Sequence, residues 1–150
     1  MLFRSLDTSH ERFMKEALKE AQKAFDADEV PVGAVVVCKN MIIARAHNLC
    51  ERLNDVTAHA EMQSITSAAA HLGGKYLNEC ILYVTVEPCA MCAGALAWAQ
   101  VKTIVYGARD DKKGFRKINS GMLHPKTTLI SGIMEQECSE MMKEFFRKKR

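Results

Sequence analysis

At 150 residues, the chain is long enough to bury about two-thirds of its unfolded surface, so it needs neither a disulfide nor a metal merely to fold. With 48% hydrophobic and 26% charged residues and a net charge of +3, it falls outside the disordered and fibrous classes, and one domain over residues 1–150 is expected. No apolar run approaches the roughly 20 residues of a membrane span, and MLFRSLDTSHER has no apolar signal-peptide core, so a cytoplasmic protein without membrane attachment is expected.

Phe13, Met14, Ala17, Leu18, Ala21, Ala24 and Phe25 recur at helical spacing and predict a first helix over Ser9–Ala27. Thr8 and Glu11 have the spacing of a capping box. Pro31 stops that helix. Val32–Cys38 reads as a buried strand, and Lys39-Asn40 turns the chain into a second strand, Met41–His47. After a polar loop comes a second helix, His59–Leu72, ended by Gly73-Gly74. Ile81–Val86 is a strand, Pro88–Ala99 a helix with proline in its first turn, and Thr103–Gly107 a strand. Ala108–Lys126 has no period and reads as a functional loop. Thr127–Ser131 is a short fifth strand, and Met134, Cys138, Met141, Met142, Phe145 and Phe146 mark a last amphipathic helix. Intermixed helices and strands predict an α/β fold, a three-layer α-β-α sandwich around one sheet.

Charge and thiols are unevenly placed. Lys112, Lys113, Arg116 and Lys117 surround Gly114-Phe115, and the chain ends Arg147-Lys148-Lys149-Arg150. Cysteines stand at 38, 50, 80, 89, 92 and 138. In a reducing compartment a C-x-x-C pair is metal-binding or redox-active rather than a disulfide framework.

Two short motifs carry chemistry: His59-Ala60-Glu61 and Pro88-Cys89-Ala90-Met91-Cys92. Cys89 and Cys92 are three apart, so on one helix they face the same way. A helix N-terminus favours thiolates. Imidazole and thiolate are the preferred zinc ligands, and a three-ligand set of His59, Cys89 and Cys92 leaves a position for water, as in catalytic rather than structural sites. Zinc lowers the pKa of such a water from 15.7 to roughly 7. Glu61 cannot share a mid-helix face with His59, but in a first turn it reaches that water as general acid/base. The plainer readings are a structural zinc closed by Cys50, Cys80 or His71, or a redox dithiol. The carboxylate beside His59 and the lack of a second C-x-x-C weigh against both. Cys38, Cys80 and Cys138 read as small core residues.

H-x-E with P-C-x-x-C resembles the signature of the zinc nucleobase deaminases. Longer stretches are similar to the bacterial tRNA adenosine deaminase (TadA) family: Glu29–Val35, Thr57–Glu61, Leu82–Ala95, Gly107–Asp110 and Phe145–Arg147. The resemblance implies a cytidine-deaminase-like fold with a mixed five-stranded sheet and one zinc per chain. It implies hydrolysis of adenosine to inosine at the wobble position of a tRNA anticodon stem-loop, by a homodimer. It also implies that Asn48 hydrogen-bonds the base, as an amide pairs with adenine. Val30, Pro31 and Ala58 would wall the pocket, Asp110 would meet the sugar-phosphate, and Phe146 and Arg147 would hold RNA by stacking and charge. One of Phe145 and Phe146 should still pack in the core. Asp111–His124 departs from the family's usual Gly/Ser-rich run. Competing readings are a deaminase of a free base or nucleoside (guanine, cytosine, cytidine), a cytosine-directed enzyme, a catalytically silent zinc module that binds RNA, and one half of a two-subunit enzyme. Intact Glu61, Asn48 and the basic tail favour the catalytically active, adenosine-directed RNA enzyme, and the shortness of the chain favours self-sufficiency.

Overall fold

The structure, a computed structural model, describes the backbone of residues 2–149 and side chains from residue 9 onward to residue 149. The Thr8 side chain of the expected capping box and Arg150 of the basic tail lie outside the described residues.

Helix α1 runs over Leu2–Asp26, so it does not start at Ser9 as the capping-box spacing predicted. Leu2–Thr8 holds no Gly or Pro, and nothing in it interrupts helical propensity. Strands β1 (Gly33–Cys38) and β2 (Met41–His47) form a hairpin. Its two turn residues, Lys39 and Asn40, both have positive φ, 52° and 64°, the backbone that matches the twist of paired strands. Strands β3 (Cys80–Val86), β4 (Thr103–Ala108) and β5 (Thr128–Ile130) complete a sheet of order β2-β1-β3-β4-β5. β1 is antiparallel to both neighbours, while β3, β4 and β5 are parallel. The mixed five-stranded sheet is as predicted.

Helices α3 (Ala60–Leu72) and α4 (Ala90–Ala99) cover one face and α1 and α6 (Glu135–Lys148) the other. Alternation within the strands decides which side chain serves which layer. Val35, Val37, Tyr83 and Val105 meet Phe13, Met14, Ala17 and Cys138, whereas Ala34, Val36, Leu82, Val84 and Ile104 meet Ala60, Ala68 and Leu96. Strands buried on both faces read as continuous apolar runs, which is why Val32–Cys38 showed no alternation. α1 crosses β1 so closely that a Cβ on Gly33 would lie 2.1 Å from the Ala17 carbonyl oxygen.

Two short helices were not predicted: α2 (Cys50–Leu53) and α5 (Phe115–Asn119). Each is little more than one turn, too short for a hydrophobic period to appear. Among the described residues no helix is long and apolar enough to cross a membrane.

Candidate metal and substrate site

The expected helix starts at His59 and Pro88 fall slightly later, at Ala60 and Ala90. His59 and Cys89 are instead the N-cap residues of α3 and α4, both extended (φ −74°, ψ 155° and φ −73°, ψ 173°). N-cap backbone is non-helical, so each side chain swings across its helix end. Cys92 follows inside the first turn of α4. α3 and α4 pack together, and their two ends converge.

The ligand atoms of His59, Cys89 and Cys92 all lie within 4.8 Å of one another. His59 Nδ1 is 3.6 Å from Cys89 Sγ and 3.4 Å from Cys92 Sγ. A tetrahedral zinc with Zn–S of about 2.3 Å and Zn–N of about 2.05 Å would hold nitrogen and sulfur about 3.5 Å apart, so the donor set fits that ion. Among the described residues this is the one group of His, Cys, Asp or Glu so arranged. The alternative fourth ligands are elsewhere: Cys80 sits opposite Cys38 in the β1–β3 register, the Cys50 thiol donates to the Val56 carbonyl, and His71 is in the last turn of α3.

The electrostatics favour a thiolate at Cys89. Hydrogen bonding from the Cys92 thiol, with help from His59, lowers Cys89 to about 4. The same interaction, with burial and nearby Glu61, raises Cys92. His59 is raised, chiefly by its bond to Cys89. Glu61 is 4% exposed. Burial raises its carboxyl to about 7, where a carboxyl can both take and give a proton at neutral pH.

These groups open onto a groove of about 1690 Å³. The structure brings Val30, Asn48, His59, Glu61, Cys89, Asp110, Phe146 and Arg147 to its wall. Cys92 lies behind it, fully buried. Pro31 and Ala58 are buried and do not line it, since their strand-entry and loop backbones turn them inward. Asn48 Oδ1 accepts the Ala60 N–H at 2.8 Å, satisfying one of the free donors at the start of α3. That leaves the Nδ2 amide group and the second lone pair of Oδ1 for a substrate. Asp110 Oδ1 accepts the N–H groups of Lys112 and Lys113 at 3.0 and 2.9 Å. The side chain thereby caps the turn after β4.

Of the two aromatics near the C-terminus, Phe145 is buried and packs edge-on against Phe25, whereas Phe146 is 45% exposed. Lys149 pairs with Asp28 at 2.5 Å and Lys148 sits over the Phe25 ring, so part of the basic tail is docked on the end of α1 and the turn after it. Arg147 pairs with Glu144 one turn back. Sequence reasoning missed Arg52 and Lys143 as groove cations. They join Arg109, Lys112, Lys113 and Arg147 on its wall. The only signal for Lys143 was its helical phase, one turn before Arg147.

The fold and the His/Cys/Cys corner define the class, an α/β deaminase with the cytidine-deaminase-like architecture. The MafB19-like deaminase family matches residues 8–150. A tRNA-specific adenosine deaminase of Bacillus subtilis (strain 168) is 45% identical over 148 residues, covering 95% of this chain and 92% of that protein. A solved structure from work on A-to-I editing by tRNA:A34 deaminases at the wobble position of transfer RNA superimposes with a TM-score of 0.81 at 43% identity, covering 87% of this chain and 98% of that one. A guanine deaminase from Nitrosomonas europaea shares the fold with a TM-score of 0.77 at 25% identity, over 90% of this chain and 83% of that one. The chain belongs to the tRNA-specific adenosine deaminase family, within the MafB19-like deaminases.

Proposed function

We propose that this chain, acting as one domain over residues 1–150 in the cytoplasm, converts adenosine to inosine at the wobble position of a tRNA anticodon. The observation that carries the reading is the convergence of His59, Cys89, Cys92 and buried Glu61 beside a groove whose mixed-charge wall includes Arg52, Arg109, Lys112, Lys113, Lys143 and Arg147. His59, Cys89 and Cys92 would hold one zinc ion, which when bound acts as a Lewis acid on the attacking water. Glu61 takes a proton from that water as its oxygen adds to C6 of adenine, and returns it to the amine, which leaves as ammonia. The Asn48 Nδ2 amine donates to the base edge, and Val30 supplies apolar wall for a base taken out of its stack. Phe146 and Arg147 at the rim suit an unpaired base and a phosphate.

A homodimer is part of this reading. Met91 and Trp98 stand two turns apart on one face of α4, 37% and 85% exposed, and Ile118 on the adjoining α5 is 67% exposed. An apolar strip of that kind is suited to a second copy of the chain. The shared architecture with a guanine deaminase keeps one second reading in play, a free-base substrate. The groove cations and exposed Phe146 favour RNA over it. A panel of anticodon stem-loop, free adenosine, guanine and cytidine, read by ammonia release, separates them. Release from the stem-loop alone is expected. Release from guanine alone would replace this reading with the second.

A further inference from the structure

Glu87 ends its segment one residue past β3 and two before Cys89, and nothing in the proposed chemistry uses it. We infer that Glu87 is a positioning residue: it holds the segment Asp110–Arg116 against the metal-binding end of α4, and so sets RNA affinity rather than turnover. The inference rests on the reading of the groove as an RNA site.

The Glu87 side chain is 3% exposed, and a buried carboxylate persists only where donors replace its water. Its donors come from one segment. Oε1 accepts the Asp110 N–H at 3.2 Å and Oε2 the Arg116 N–H at 3.2 Å. The Arg116 guanidinium Nε stands 3.6 Å from Oε2. The backbone repeats the attachment. The Glu87 N–H donates to the Ala108 carbonyl at 2.8 Å, and the Phe115 N–H to the Pro88 carbonyl at 2.9 Å. Cys89 itself forms an isolated antiparallel bridge with Gly114.

Gly114 shows how close the fit is. A Cβ there would lie 2.2 Å from Glu87 Oε2 and 2.5 Å from the Asp110 carbonyl oxygen. The carboxylate occupies the space a side chain would need. Between its two backbone donors the chain makes the turn that presents Lys112 and Lys113 to the groove. Glu87 is therefore the common anchor of two groove cations and of the strand leading to the ligand Cys89.

The test is Glu87→Gln, which keeps size but replaces one acceptor by an amine facing N–H donors. On the zinc-loaded protein, KM for an anticodon stem-loop should rise about 10-fold with kcat within about threefold, the pattern of lost binding rather than lost chemistry. Zinc content should be unchanged, and hydrogen exchange at the Asp110 and Arg116 amides should accelerate. If Glu87→Gln does not fold, Glu87→Asp, which keeps the charge but draws the carboxylate back from its two N–H donors, carries the same expectation. A lower melting temperature with unchanged KM and kcat would show a merely structural role and overturn the inference. So would a fall in kcat that tracks loss of zinc. A wild-type protein that neither binds nor deaminates the stem-loop would instead defeat the RNA reading itself. An active wild type beside a variant of unchanged KM defeats only the role of Glu87.

Discussion

The floor of the groove and its rim are built in different ways. The floor is made by two helix starts, and each contributes its groups within four consecutive residues: His59 and Glu61 from one, Cys89 and Cys92 from the other. The rim draws Arg52 from a one-turn helix, Arg109 to Lys113 from a loop after β4, and Lys143 to Arg147 from the last helix. At the floor, backbone geometry fixes the chemistry, because an N-cap residue and a first-turn residue have little freedom of placement. At the rim, position depends on how distant segments are tethered. Changes at the floor should therefore abolish the reaction, and changes at the rim should weaken binding by degrees.

The largest effect belongs to the ligands. Cys92→Ala should lower zinc from about one per chain to near zero and abolish activity, because two donors cannot hold the ion in competition with water. Metal analysis of purified protein reads this directly, and retention of zinc would break the contrast. Next comes Glu61→Ala, which should keep zinc and RNA binding while losing at least about 10²-fold in kcat. A fully active variant would remove the carboxyl from the mechanism. Removing Phe146–Arg150 should leave kcat on saturating RNA nearly intact, weaken binding, and flatten the salt dependence of log K by about 1 to 2, since each phosphate contact on a single strand contributes a slope near 0.7. An unchanged slope would mean that this tail only docks on the end of α1 and the turn after it. The smallest effect is expected for Asp28→Asn, which removes the exposed partner of Lys149. It should change unfolding free energy by less than about 1 kcal/mol, measured by urea denaturation.

The same contrast explains what was legible beforehand. The sheet and the long helices follow from apolar periodicity. The metal corner follows from motifs short enough to be read as units. The exact helix starts did not, because His59 and Cys89 take N-cap backbone that no periodic pattern encodes. α2 and α5 were invisible for want of length. Asn48 was assigned to a base, and its oxygen also serves the start of α3, a pairing that only the three-dimensional structure shows. Pro31 and Ala58 sit beside groove residues in sequence yet face inward, because adjacent residues need not share a side of the chain. Lys143 and Arg52 reach the groove only through the tertiary fold.

The central claim is hydrolysis of a single adenosine in an anticodon loop by water activated at this corner. Reaction of the zinc-loaded protein with an anticodon stem-loop in ¹⁸O-labelled water, followed by mass spectrometry of the digested nucleosides, tests it most directly. The account predicts one inosine per RNA, carrying one ¹⁸O. Inosine without the label, or an RNA whose adenosines all remain intact, would contradict it.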